Sequence, residues 1–150
     1  MPLFIINPAL AQPNVSVPLC EDILPKPCIE KYFNLESNSF PLIDTLLEEE
    51  IEKAVAVAKP DVIMHTNSTY PCKSEDLNLR YMEHLRGKYG AGAEIGYSGH
   101  EYGLVTTFAA VAMGATWVER HITMNRDDFG SDQKASIEPS GVFKLVKGIR

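Results

Sequence analysis

Between residues 61 and 150 short β-prone runs alternate with helical patterns, and this alternation limits the possible folds more than any other feature of the chain. DVIMHT (61–66), EIGYS (94–98) and TWVERHIT (116–123) have the length and the β-branched and aromatic content of strands. A helix should follow each one. After the first, Ser74 can cap a helix with Glu75 and Asp76 in its first turn, and Leu77, Tyr81, Met82 and Leu85 form its apolar stripe as far as Gly87–Gly90. After the second, GLVTTFAAVAMGA (103–115) reads as a closely packed helix of small residues. After the third, Pro139 suits a first helical turn, and Val142, Leu145, Val146 and Ile149 supply a buried face. A further helix comes before them all. Thr45 and Glu48 make a T-x-x-E capping box, Leu47, Ile51, Ala54, Val55 and Ala58 follow at helical spacing, and Pro60 stops it. Strands alternating with helices imply an α/β fold with a parallel sheet and right-handed crossovers.

The first 40 residues do not share this pattern. Six of the ten prolines fall there, Pro2, Pro8, Pro13, Pro18, Pro25 and Pro27. Neither a period of 2 nor one of 3.6 survives so many fixed φ angles and missing donors. Residues 1–40 are therefore expected to be an irregular or disordered segment, and 41–150 the folded part. The chain of 150 residues suits one ordinary domain. Its net charge of −6 argues against binding nucleic acid or an anionic membrane surface, both of which need a basic face. No apolar run is long enough to span a bilayer, and MPLFIINPALAQPN lacks the positive start of a signal peptide. Cys20, Cys28 and Cys72 are odd in number and lack metal-type spacing, so reduced thiols in the cytoplasm are expected.

In parallel sheets ligands gather at the carboxyl ends of the strands. The unusual polar residues of this chain lie at those ends. The first strand runs into HTNSTYP, the second into SGHEYG and the third into ERHIT and RDDFGSDQ, whereas AKPD and MGAT at the other edge are plain. Side chains alternate along a strand, so Gly96, Ser98 and His100 share a face if the strand continues, as do Trp117, Glu119 and His121. With neighbouring strands about 4.8 Å apart, His100 and His121 can converge on one ion. Two neutral imidazoles with open positions beside them suit a divalent transition metal acting as a Lewis acid on a carbonyl, and Asp132 could add an oxygen. Two histidines near strand ends also suit ordinary hydrogen-bonded structural roles. His65 fits a core position or one that supports a ligand, and His84, on a helix with Arg80, Arg86 and Lys88, fits the solvated surface.

HTNSTYP, IGYSGHEYG, GATWVERHIT and GSDQKASIEP, in this order and spacing, resemble the C-terminal part of the catalytic barrel of the sialic acid synthase family, which includes N-acetylneuraminate, legionaminate and pseudaminate synthases. The resemblance covers about residues 41–150. It implies a partial (β/α)8 barrel, the last three strands with their helices. It implies condensation of phosphoenolpyruvate with an open-chain N-acetylated hexosamine such as N-acetylmannosamine, giving a nine-carbon 2-keto sugar acid and phosphate. It assigns His100 and His121 to a divalent metal, with Mn2+ the expected ion. Ser98 is assigned to phosphoenolpyruvate, Ser68 to the neighbourhood of the same ligand, Tyr70 to packing on the sugar, and Asp132 to sugar hydroxyls. Gly96 and Gly99 are expected to leave space for a ligand.

Other parts that the family implies have no counterpart among these motifs. A glutamate acting on the sugar or water, the lysines that grip phosphate, and a C-terminal arginine that reaches a neighbouring subunit are expected elsewhere in full-length members, which are expected to be homodimers. No catalytic base is assigned within this chain, and the chain by itself is expected to be inactive. Two other readings compete with this one. One is a truncated paralogue that acts as a non-catalytic binding or assembly module. The other is a related phosphoenolpyruvate-dependent synthase of 3-deoxy sugar acids.

Overall fold

The structure is a computed structural model, and it describes residues 3–6, 39–43 and 48–150. Its strands are β1 (Leu3–Ile6), β2 (Ser39–Ile43), β3 (Val62–Thr66), β4 (Glu94–Gly99) and β5 (Val118–His121). They form one sheet in the order β1-β5-β4-β3-β2. Strands β2 to β5 run parallel, and β1 pairs antiparallel with β5. The α-helices are α1 (Glu48–Ala58), α2 (Tyr81–Tyr89), α3 (Val105–Ala112) and α4 (Pro139–Ile149). This is the α/β alternation expected of a partial (β/α)8 barrel. The three strands expected from 61–66, 94–98 and 116–123 are β3, β4 and β5, all parallel. Among the described residues, no helix is long and apolar enough to cross a membrane.

Two strands lie in or across the stretch expected to be irregular. LFII pairs with β5 as β1, and SFPLI pairs with β3 as a further parallel strand, β2. Pro41 sits within β2, opposite Met64. Proline has no N–H to donate to a ladder, and β2 is the last strand in the described sheet, the position where proline is tolerated. Residues 7–38 lie outside the described residues, as do Thr45 of the capping box, Cys20 and Cys28.

The second helix begins later than its sequence signals suggest. Ser74–Asp76 form a single 3-10 turn, and α2 starts at Tyr81 with no side-chain cap. Leu77 turns into the core, and Asn78 takes a left-handed φ of 39°, which breaks any helix continuing from Ser74. The buried His65 ring bonds the Leu77 carbonyl at 2.8 Å and holds this break in place.

Helices cover one face of the sheet. Ile63, Ile95 and Tyr97 pack there with Ile51, Met82, Leu85, Ala110 and Ala115. Val118 and Ile137 continue that layer against Val142 and Leu145 of α4. Full burial of each large apolar side chain contributes about 1.5–3 kcal/mol. At the end of α3, Gly114 has φ 93°. Its N–H reaches Val111 O while Ala115 N–H reaches Ala110 O, a closed C-terminal turn that aims the chain into β5. On the opposite face Val62, Met64 and Trp117 form a separate cluster, and the Trp117 indole donates to Glu94 Oε2 at 3.1 Å.

Candidate functional site

The carboxyl ends of β3, β4 and β5 bring HTNSTYP, SGHEYG and ERHIT to one edge. Alternation places Thr66, Ser98, Glu119 and His121 on the face that carries Met64 and Trp117, away from the helices. Register puts Ser98 beside both Thr66 and Glu119. The Ser98 hydroxyl donates to Glu119 Oε1 at 2.7 Å, and the Glu119 carboxylate is buried with it.

The two histidines meet at the strand ends, His121 as the last residue of β5 and His100 just after β4. Their ring centroids are 5.4 Å apart, and the rings stand nearly perpendicular. The Tyr70 hydroxyl lies between them, 2.8 Å from His100 Nε2 and 3.0 Å from His121 Nε2. Its ring stacks on His100 and meets His121 edge-on. His100 Nδ1 lies 2.6 Å from the Asn67 carbonyl, which can only accept, so Nδ1 carries the proton and Nε2 presents its lone pair. Tyr70 then donates to His100 Nε2 and accepts from a proton on His121 Nε2. That leaves His121 Nδ1 as the bare nitrogen, and it is buried without a partner among the described residues.

Burial favours the neutral form of both imidazoles. It pushes the His100 pKa down against the opposing Asn67 hydrogen bond, and His121 adds to the lowering. It also lowers His121, opposed by the Asp132 and Glu119 carboxylates. Tyr70 is pushed up to about 12, first by burial and then by Asp132 and Glu119, so it is a neutral phenol. Neutral imidazoles are the form that binds a metal. A backbone carbonyl on Nδ1, as at His100, is the usual support of a ligating histidine. His121 would have to move its proton from Nε2 to Nδ1 in order to ligate. The pair fits a two-imidazole centre in which His100 is already set. Among the described residues no group of three or more His, Cys, Asp and Glu side chains converges, so further ligands would come from solvent or substrate.

The other expected residues separate into two groups. Asp132 is half-buried, and its charge reaches both Tyr70 and His121. Ser68 is exposed on the loop above β3, and it makes none of the hydrogen bonds that join Tyr70, Ser98, His100 and His121. His65 faces the helices as a core residue between Tyr81 and Tyr97, and His84 is half-exposed against Glu48. The space beside the two glycines is taken by protein and not by a ligand. A Cβ on Gly96 would lie 2.3 Å from Met64 Sδ and 2.8 Å from Trp117 Cβ, and one on Gly99 would lie 2.8 Å from Glu101 Oε2 and 3.0 Å from Arg120 Cδ.

Sequence reasoning missed Asn67 and gave Glu119 no role. Asn67 Oδ1 accepts from the backbone and hydroxyl of Thr69, and its Nδ2 donates to Asp76 O, which folds the loop that carries Tyr70. The N-S-T run is a turn signal that could have shown this.

Parallel strands whose carboxyl ends collect two imidazoles, a phenol, a hydroxyl and two carboxylates define an α/β protein with a candidate ligand site at its strand ends. Residues 45–150 match the NeuB family, and the chain belongs to that family. It is 37% identical over 115 residues to human N-acetylneuraminate-9-phosphate synthase, covering 76% of this chain and 31% of that one. It is 33% identical over 111 residues to N,N'-diacetyllegionaminic acid synthase of Legionella pneumophila, covering 68% and 31%. The crystal structure of N-acetylneuraminic acid synthetase from Leptospira borgpetersenii, in complex with citrate, superposes with a TM-score of 0.67 at 37% identity, covering 73% of this chain and 39% of that one. The chain thus spans about a third of the length of the curated relatives it matches, 31% in both cases.

Proposed function

We propose that this site belongs to a synthase reaction of the sialic acid type. C3 of phosphoenolpyruvate bonds to the aldehyde carbon of an open-chain N-acetylated hexosamine, whose oxygen takes a proton; one water adds at C2, and the bond from C2 to phosphate breaks to give the ketone and inorganic phosphate. Three carbons added to six give the nine-carbon 2-keto sugar acid. The observation that supports this reading is the convergence of His100 Nε2 and His121 Nε2 on one point, within 3.0 Å of a single oxygen.

On this reading His100 and His121 hold a divalent cation, Mn2+ being the expected ion. Bound there, the cation supplies Lewis-acid polarisation of the sugar aldehyde. The other residues bind and orient. Ser98 contacts the phosphoenolpyruvate anion by turning its one hydroxyl proton from Glu119 toward it. Ser68 lies at the rim of the same subsite. Tyr70 packs on the sugar, and Asp132 accepts from its hydroxyls. No residue of this chain is assigned as the general base or as a cation that grips phosphate.

Positioning of two reactants can be worth about 7–11 kcal/mol of barrier, so the chain alone is expected to show no turnover. The test has two parts. Mn2+ is titrated into the chain and followed by electron paramagnetic resonance, with His100→Ala and His121→Ala in parallel. Residues 45–150 are also grafted in place of the matching segment of the human relative, and phosphate release is measured with phosphoenolpyruvate and N-acetylmannosamine or its 6-phosphate. The expected result is Mn2+ binding that either substitution weakens, and a chimera whose kcat falls sharply in His100→Ala while its fold persists. An active chimera indifferent to metal chelation and to both substitutions would refute the reading.

A further inference from the structure

Behind the two histidines, on the helix-facing side of the sheet, lies a fully buried ion pair. Arg120 is 0% exposed and Glu101 is 1% exposed. Each stands next to one histidine in sequence, Glu101 after His100 and Arg120 before His121. Arg120 Nη1 donates to Glu101 Oε1 at 2.8 Å, to Thr107 Oγ1 at 2.8 Å and to Gly103 O at 2.9 Å. Nη2 donates to Glu101 O at 2.7 Å and to Ala135 O at 3.2 Å. Tyr97 and Thr107 hydroxyls donate to the two Glu101 oxygens.

The segments these bonds reach are the ones that carry the site. Glu101 O and Oε1 follow His100 directly. Arg120 shares a peptide bond with His121. Ala135 closes the 3-10 turn Gln133–Ala135, whose flank is Asp132, and Ser136 N–H and Oγ both return to Asp132 O. Gly99 provides the room for the pair, because a Cβ there would press on Glu101 Oε2 and Arg120 Cδ.

We infer that Glu101 and Arg120 are the positioning residues of this site: one buried guanidinium sets the spacing of His100 and His121 and anchors the turn that presents Asp132. The inference rests on the two-imidazole reading proposed above. A buried ion pair is weak evidence for stability, since apolar side chains of similar volume often replace one without loss of fold. They cannot reproduce a planar fork that bonds several carbonyls at once. Folding and positioning can therefore be separated.

The experiment uses the whole chain, with the double substitution Glu101→Leu/Arg120→Met and the single substitution Arg120→Lys. Folding is followed by circular dichroism and thermal unfolding, and Mn2+ affinity by electron paramagnetic resonance. The state of His100 is read from the resonance of its Nδ1–H, which bonds Asn67 O. The double variant is expected to fold and to bind Mn2+ about tenfold more weakly, the scale seen when the outer partners of ligating residues are lost. Its His100 Nδ1–H signal should shift or broaden. Arg120→Lys keeps the charge but loses the fork, and is expected to move both readouts in the same direction. A folded double variant with parental Mn2+ affinity and an unmoved His100 signal overturns the inference. If the double variant does not fold, parental values of both readouts in Arg120→Lys overturn it. If the parent chain binds no Mn2+, the metal reading fails by itself, and the His100 signal alone decides the positioning role.

Discussion

Tyr70→Phe isolates one oxygen. The ring stacked on His100 at a centroid distance of 4.1 Å is kept, and only the hydroxyl between the two Nε2 atoms is lost. No charge is removed, because Tyr70 is pushed up to about 12 and is a neutral phenol throughout the working range. Two neutral hydrogen bonds disappear, each worth about 0.5–1.5 kcal/mol net. The site is half-buried, so water can replace part of them, and the expected loss is about 1–2 kcal/mol in the metal-free protein. For a chain of this size that lowers Tm by roughly 2–8 °C. Thermal unfolding by circular dichroism in EDTA measures it. The same melt with excess Mn2+ should bring variant and parent together, because an ion at that point takes the nitrogens that lost the hydroxyl. A ligand at about 100 times its Kd adds about 2.7 kcal/mol. An unchanged Tm in EDTA would refute the hydrogen-bonding scheme, and a deficit that Mn2+ leaves untouched would refute the shared use of those nitrogens.

Gly96→Ala forces a methyl against Met64 Sδ and Trp117 Cβ and should cost about 1–3 kcal/mol, read as a lower urea midpoint with an unchanged slope. His100 and His121 both have pKa values lowered from 6.5, so the unfolded chain binds more protons below that value. Their contribution to stability is complete above about pH 6.5 and is lost as pH falls toward the folded values; urea melts across that range check it, and a flat profile in a His100→Ala/His121→Ala variant is the expected control. Glu48 is lowered from 4.5 to about 2, chiefly by Lys88 and then by Tyr81 and His84, so its contribution is present above 4.5 and is lost as pH falls toward 2. That carboxylate is well exposed, so Glu48→Gln should cost only about 0.2–1 kcal/mol, and less in high salt.

Local pattern was enough to order the main elements. Pro60, Pro139 and the MGAT turn act within a few residues of themselves, and alternation along the strands pairs Ser98 with His100 and Glu119 with His121 on shared faces. The misreadings came from interactions between distant parts of the chain. Ser74, Glu75 and Asp76 carry the chemistry of a helix start, but the burial of Leu77 and the bond from His65 to its carbonyl, twelve residues apart, stopped the helix there. Pro41 lies within β2, and the place of that strand at the edge of the described sheet makes it acceptable.

The sequence by itself determined the alternating α/β order, the end of the sheet at which polar residues collect, and the two histidines as the pair to watch. These depend on periodicity, capping and turn chemistry, which operate over a few residues. Only the tertiary structure decided that Tyr70 stands between the two rings, that Asn67 sets the His100 proton, that Gly96 and Gly99 make room for side chains, and that Glu101 meets Arg120. Each of those depends on strands and loops coming together from residues 19 to 51 apart in the chain, as with Glu101 and Arg120 or Tyr70 and His121, and no local pattern encodes which groups will meet once the sheet has formed.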